Sequence, residues 1–240
     1  MTSARELAKR LSNAMSGDES GMTVLEVIIA TAILSIVVAF VMTGFSSFQS
    51  SAATDDLKLQ NLDEARLLMD TVSKDIRTAA YVQAGSPAFT TADVTHVIFT
   101  ANLLTTTYPN QVEIYIDTTD PNTPYLVEKI RTPDPGSCAT MCTYTGATGS
   151  VTTTRFVGKY VTNNASNPLF TYYDSNGVQI TPPSGQTALT CPTQCLQINS
   201  IKINLSVRKG TSRAIPATTL INTVTLPNLY YAVQPSPTPT

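Results

Sequence analysis

The sequence predicts an α+β protein in which a long N-terminal helix, first transmembrane and then amphipathic, packs on an antiparallel β-sheet. Three observations support this fold class. Residues 22–45 form a nearly unbroken apolar run, and residues 46–80 continue it with an apolar stripe at helical spacing. Beyond residue 80 the hydrophobic period changes to two, which is typical of half-buried strands. We therefore divide the chain into a leader (1–21), these two helical segments, a β-rich domain (81–232) and a flexible Pro/Thr-rich tail (233–240).

The apolar run from Met22 to Phe45 is long enough to cross a membrane, since a transmembrane helix needs about 20 residues. Three basic residues, Arg5, Lys9 and Arg10, lie in the leader, and Asp55 and Asp56 follow the run. The positive-inside tendency then places the N-terminus in the cytoplasm. We expect one membrane crossing, with the bulk of the chain on the extracytoplasmic side.

Glu26 is the one acidic residue inside this apolar run. A carboxylate in hydrocarbon costs roughly 2.5 to 10 kcal/mol, depending on the reference state, so it requires a specific partner or a route to the membrane surface. Two interpretations follow. Glu26 either pairs with a cation when helices assemble, or it reaches the membrane surface from a position near the helix end.

Residues 46–80 are predicted to continue the helix, because no proline or glycine interrupts Gln49 to Ala80. Apolar residues recur at alternating spacings of three and four, which marks one face for packing against a sheet: Leu62, Ala65, Met69, Val72, Ile76 and Ala79. The charged residues are expected mostly on the solvent face: Asp63, Glu64, Arg66, Asp70, Lys74, Asp75 and Arg77.

The β-rich domain contains seven segments that read as strands, separated by turn residues such as those of "RTPDPGS" and "YDSNG". The clearest two alternate apolar and polar side chains, as expected for antiparallel strands with one buried face. The predicted strands are Val94–Thr100, Gln111–Asp117, Tyr125–Arg131, Thr152–Val161, Leu169–Tyr173, Ile201–Val207 and Leu220–Leu226.

The composition excludes some classes of function and favours others. Hydrophobic residues make up 42% of the chain, enough for a core, whereas only 13% are charged, as is common in exported proteins. The net charge of −2 comes without a basic run, so the footprint of a nucleic-acid-binding protein is missing. The sequence contains no phosphate-binding, dinucleotide or nucleophile-elbow motif. We expect neither an enzyme nor a cofactor.

Four cysteines occur as two local pairs, Cys138 with Cys142 and Cys191 with Cys195. Outside the cytoplasm they predict two disulfides, for which four cysteines allow three connectivities, and pairing within each local pair is slightly favoured. The alternative is a zinc site, although the C-x-x-x-C spacing is longer than most zinc sites use.

Two further positions were considered for chemistry. His96 is the only histidine and lies in a predicted strand, so a structural role is favoured over catalysis. Asp117, Asp120 and Asn122 cluster oxygen donors that could bind calcium, but the segment lacks the glycine and terminal glutamate of a calcium loop. A plain β-turn is the favoured interpretation.

The N-terminal pattern resembles the class III signal of the type IV pilin family. A glycine, Gly21, precedes a hydrophobic residue, Met22, with Glu26 four positions further on and an unbroken apolar helix behind it. The resemblance implies cleavage between Gly21 and Met22 by a prepilin peptidase, and N-methylation of Met22. It also implies that Glu26 contacts the freed amine of a neighbouring subunit. The family usually has phenylalanine after the cut, so Met22 is a departure.

Two later segments are similar to the J-type minor pseudopilins and W-type minor pilins: "ARLLMDTVSKDIRTAAYV", with Asp75, Ile76 and Arg77, and "NPLFTYYDSNGVQI". The resemblance implies a pilin-like fold and a subunit of a type IV pilus, or of a type II secretion-like or competence pseudopilus, acting in initiation or capping. Its partners would be the peptidase, the membrane and other pilin subunits. A membrane-anchored adhesin or binding module is the alternative; direct DNA contact lacks a basic patch.

Overall fold

A computed structural model describes residues 23–81, 86–103, 108–139, 142–209 and 216–230. The chain divides into two compact units, residues 1–53 and 54–240, and each is described by itself. The predicted leader (1–21), the predicted tail (233–240) and both residues of the predicted cleavage site, Gly21 and Met22, lie outside the described residues.

Helix α1 covers Val24–Arg77, 54 residues that include most of both predicted helical segments. Thr23 caps its start, since the backbone N–H of Glu26 donates to the Thr23 hydroxyl over 3.3 Å. The helix ends three residues before the predicted end at residue 80. Its last carbonyls are satisfied by a tighter turn, and Ala79 already pairs with Ala101 of the sheet.

Residues 24–53 of α1 are all exposed. The hydroxyls in this apolar part donate to carbonyls of the preceding turn: Thr31 to Val27, Ser35 to Thr31 and Thr43 to Ala39. Each of these hydroxyls is thereby satisfied inside its own helix, as a segment surrounded by hydrocarbon requires.

The second unit contains two antiparallel sheets where the sequence predicted one. The first is a meander in chain order, and the second has the order β7-β6-β8-β9. The first sheet comprises β1 (Phe89–Ala92), β2 (His96–Ala101), β3 (Asn110–Asp117), β4 (Tyr125–Arg131) and β5 (Thr152–Lys159). The second comprises β6 (Phe170–Tyr173), β7 (Gln179–Ile180), β8 (Ser200–Val207) and β9 (Thr218–Thr225), followed by the short helix α2 (Pro227–Tyr230).

All seven predicted strands are present, with ends that differ by up to two residues. The alternation in β8 places Ile201, Ile203, Leu205 and Val207 in the core, as predicted. Strands β1 and β7 were not predicted. They are four and two residues long, too short to establish a period of two in the sequence.

One core cluster joins residues 65–79 to both sheets. Of the predicted stripe, Leu62 is only partly buried, whereas Leu68, which was not predicted, is fully buried. Gly158 of β5 allows this close packing, because a Cβ there would lie 2.6 Å from both the Leu68 side chain and a Glu64 oxygen.

Candidate functional site

The candidate assembly segment is the apolar part of α1, residues 24–45. No residue of its most apolar stretch is buried, and the helix is long and apolar enough to span a membrane by length and composition. Large exposed side chains line every side of it, including Ile29, Leu34, Val38 and Phe40. A helix that is apolar all round is suited to lipid or to a bundle of similar helices, and not to a water-exposed surface.

Glu26 lies in the first turn of this segment, with its side chain exposed. It is the only charged residue between positions 23 and 54. The N-terminal end of a helix carries the positive end of the helix dipole, which stabilises an acidic side chain there.

The four cysteines form two disulfides, Cys138–Cys142 and Cys191–Cys195. Each bond closes within a local pair, the connectivity that the sequence slightly favoured. Within the described residues no cysteine is free, so no thiolate is left to bind zinc.

Asp134 organises the loop beside the first disulfide, a role that sequence reasoning missed. Its carboxylate accepts hydrogen bonds from the Thr143 hydroxyl and the Thr145 hydroxyl, and from the backbone N–H groups of Thr145, Gly146 and Ala147, over 2.7 to 3.1 Å. These donors, the Thr145 backbone first, hold the pKa of Asp134 far below its ordinary value. The sequence pattern around it, "RTPDPGS", predicts only a turn.

The carboxylates of the two candidate calcium ligands, Asp117 and Asp120, accept hydrogen bonds from residues of their own turns. Asp117 Oδ1 accepts from the backbone of Thr119, and Asp120 Oδ1 from that of Asn122, both over 2.9 Å. Hydrogen bonds from the Thr119 and Thr123 hydroxyls lower the pKa of Asp117 and Asp120. Among the described residues no group of three or more His, Cys, Asp or Glu side chains is placed to hold a metal ion. The geometry is that of side-chain-capped turns.

His96 contributes to a polar cluster on the outer face of the first sheet. Its Nε2 lies 3.1 Å from Glu113 Oε1, and Arg131 donates to the other Glu113 oxygen over 2.7 Å and to Gln111 over 2.9 Å. The ring also contacts Tyr115 edge-on. These cross-strand contacts explain His96 as a strand residue.

Asp75 is the clearest departure from the predicted solvent face of α1. Its side chain is buried against Glu128 of β4 and Arg155 of β5, and Glu128 is itself only 1% exposed. Three other polar residues of α1 also have partners in the β-rich region: Glu64 and Ser73 contact Lys159 of β5 and Asn222 of β9, and Asn61 contacts Lys209, two residues after β8. Periodicity missed them because it treats every polar residue as solvent-facing.

The segment "NPLFTYYDSNGVQI" forms the β6–β7 hairpin. Asp174 Oδ1 accepts from the backbone of Asn176 and Val178, and Gly177 has a positive φ of 76° that favours glycine. Tyr172 is buried and donates to the Asp93 carbonyl over 2.7 Å. The aromatic residues therefore serve the core and the turn.

No protein-family model matches the chain, and no curated protein matches it significantly. The functional assignment must therefore come from the residues themselves. The fold that carries them is an α+β arrangement of one long helix and two antiparallel sheets.

Proposed function

We propose that this protein is a minor pilin or pseudopilin, cleaved and N-methylated by a prepilin peptidase and assembled into a filament. The observation that carries the proposal is the exposed apolar part of α1, with one carboxylate, Glu26, in its first turn. Sheets of the second unit would form the extracytoplasmic part of the subunit. Pilus, secretion pseudopilus and competence pseudopilus all fit this description.

The mechanism follows from charge compensation. Cleavage after Gly21 would leave a cationic amine at Met22, one helical turn before Glu26. An unpaired carboxylate in hydrocarbon is costly, but a carboxylate and an amine of adjacent chains neutralise each other inside a helix bundle. Pairing therefore favours subunits whose helices pack with one register. The pairing also makes assembly depend on prior cleavage.

Apolar side chains of residues 24–45 would supply the rest of the contact. The hydroxyls of Thr31, Ser35 and Thr43 in this segment already donate to carbonyls of the same helix. They therefore leave no unsatisfied donor on the surface that would meet a neighbouring helix. Lipid-facing helices gain little hydrophobic free energy by association, so close packing and the Glu26 pair must select the partner.

Mass spectrometry of the mature protein tests processing directly. We expect a terminus at Met22 carrying one added methyl group. The variant Gly21→Val should retain residues 1–21, since a branched side chain at the cut would block a site that accepts glycine. A mature terminus at any residue other than Met22 would refute the proposed processing.

Replacing Glu26 separates a filament subunit from a membrane-anchored adhesin. Glu26→Leu should insert in the membrane as well as the natural chain but enter sheared filaments at least about 10-fold less, because the amine of the neighbour loses its partner. Thr31→Val, one to two turns further along the same exposed segment, is the matched control and should assemble normally. If Glu26→Leu enters filaments as well as the natural chain does, the result would favour the membrane-anchored adhesin, for which α1 is only an anchor.

A further inference from the structure

Three charged side chains meet where the second part of α1 packs on the first sheet: Asp75 of α1, Glu128 of β4 and Arg155 of β5. Arg155 Nε donates to Glu128 Oε2 over 2.7 Å, and its terminal nitrogen lies 2.6 Å from the same oxygen. That terminal nitrogen is 3.6 Å from Asp75 Oδ2. Asp75 and Glu128 are 6% and 1% exposed, whereas the Arg155 side chain is half exposed.

The charges of this cluster do not balance if both acids are ionised. Two buried carboxylates would face one guanidinium, and each has an oxygen, Asp75 Oδ2 and Glu128 Oε1, that is buried without a hydrogen-bond partner. A buried charge without compensation is strongly destabilising. Both carboxyl groups lie at the same terminal nitrogen of Arg155, Asp75 Oδ2 at 3.6 Å and Glu128 Oε2 at 2.6 Å, so one proton shared between them would correct both the charge and the missing partner.

We infer that Asp75 and Glu128 form a proton-binding site, in which Asp75 is protonated near neutral pH and donates to Glu128, and that losing this proton weakens the packing of α1 on β4 and β5. This inference does not depend on the proposed filament.

Other groups around the site set its electrostatics. On α1, Lys74 favours ionisation of Asp75, as does Arg155 from β5, whereas Glu128 from β4 opposes it. Asp70 lines the same cleft, of about 410 Å³, and adds a further negative charge. The remaining lining residues cannot titrate: Thr71, Leu103, Ile130 and Thr153.

The pKa of Asp75 agrees with this geometry. Burial, and then the neighbouring Glu128, raise it from 3.8 to about 7. The folded chain therefore holds a proton that the unfolded chain releases between these two values, and the free energy of unfolding must fall as pH rises through that window. Above about pH 7 this loss is complete.

The pH dependence of thermal unfolding tests the site in the full chain, solubilised in detergent. For the natural chain we expect the midpoint to fall by roughly 5 °C between about pH 5 and about pH 8. Asp75→Asn should flatten this dependence, because an amide donates to Glu128 without a titrating proton. Asp63→Asn, an exposed acid on the same helix, is the matched control and should keep the natural slope.

A second measurement does not require any variant to fold. Infrared spectra of the natural chain with ¹³C-labelled aspartate should show a protonated carboxyl band near pH 6 that disappears near pH 9. Absence of the band, or a steep pH slope in Asp75→Asn, would each overturn the inference.

Discussion

Helix α1 is built on different patterns before and after residue 53. Residues 24–53 are exposed throughout and contain one charge, whereas residues 54–77 alternate charged residues with a buried stripe. The first part leaves its apolar surface free for lipid or for another helix. The second part buries its apolar stripe within the chain. Three of its polar residues, Glu64, Ser73 and Asp75, contact the sheets, and Asn61 contacts Lys209 just after β8. Hydrophobicity alone therefore does not show whether an apolar helix surface packs inside its own chain or remains exposed.

The largest expected contrast is a leucine-to-alanine change in each part. Leu68 is fully buried and Leu34 is 61% exposed. Leu68→Ala should lower the free energy of unfolding of the second unit by about 2–5 kcal/mol, because it opens a cavity under the sheet. Leu34→Ala should leave that quantity unchanged. Denaturant titration of the full chain in detergent, followed by tyrosine circular dichroism, measures both; equal losses would contradict the division of roles.

A glycine inside the first part of α1, Gly44, and a glycine of β5 that packs against the second part, Gly158, give the next contrast. A Cβ at Gly158 would collide with Leu68 at 2.6 Å, whereas a Cβ at Gly44 meets nothing within 4 Å. Gly158→Ala should therefore cost about 1–3 kcal/mol as the helix is forced away from β5. Gly44→Ala should be neutral or favour the helix by up to about 1 kcal/mol. The same titration checks the first change, and far-UV circular dichroism checks the second.

Much of this architecture could be predicted because the spacing of apolar residues shows which face of a helix or strand is buried. The period of two located β3 and β8, and the three-and-four spacing located Ala65, Val72 and Ile76. The buried polar residues were not predicted. Asp75 and Asp134 are buried because Arg155 and a set of loop donors compensate them, and those partners are 80 and about 10 residues away in the chain. A local sequence pattern does not reveal which residues will be such partners. The division into two sheets also depends on which strands pair, and periodicity does not reveal that either.

Loop protection around Asp134 should depend on its charge. Because the pKa of Asp134 is held below its ordinary value in the folded chain, its contribution to stability is present above about pH 4 and is lost as pH falls below that value. Asp134→Asn should remove that acid dependence and speed amide hydrogen exchange at Thr145, Gly146 and Ala147. Exchange measured by mass spectrometry at two pH values checks this; unchanged protection in Asp134→Asn would show that the loop is held by the disulfide alone.

The smallest expected effect separates two adjacent acids of α1, Asp63 and Glu64. Glu64 Oε1 accepts a hydrogen bond from the backbone N–H of Lys159 over 2.8 Å, at the end of edge strand β5. Glu64→Ala should therefore cost about 1 kcal/mol, since that N–H loses its acceptor. Asp63 only faces Arg66 at 3.9 Å with both side chains largely exposed. Asp63→Ala should change the free energy of unfolding by less than about 0.5 kcal/mol.

Salt and a conservative substitution sharpen this last comparison. Raising the ionic strength should erase the effect of Asp63→Ala, because exposed pairs are screened, and leave most of the effect of Glu64→Ala. Glu64→Gln keeps an acceptor oxygen and should recover most of the lost stability. If Glu64→Gln is as damaging as Glu64→Ala, then charge and not the hydrogen bond to β5 stabilises this end of the strand. In that case the polar residues of α1 stabilise the fold through their charge and not through specific hydrogen bonds. Residues 54–77 would then differ from residues 24–53 only in burying an apolar stripe.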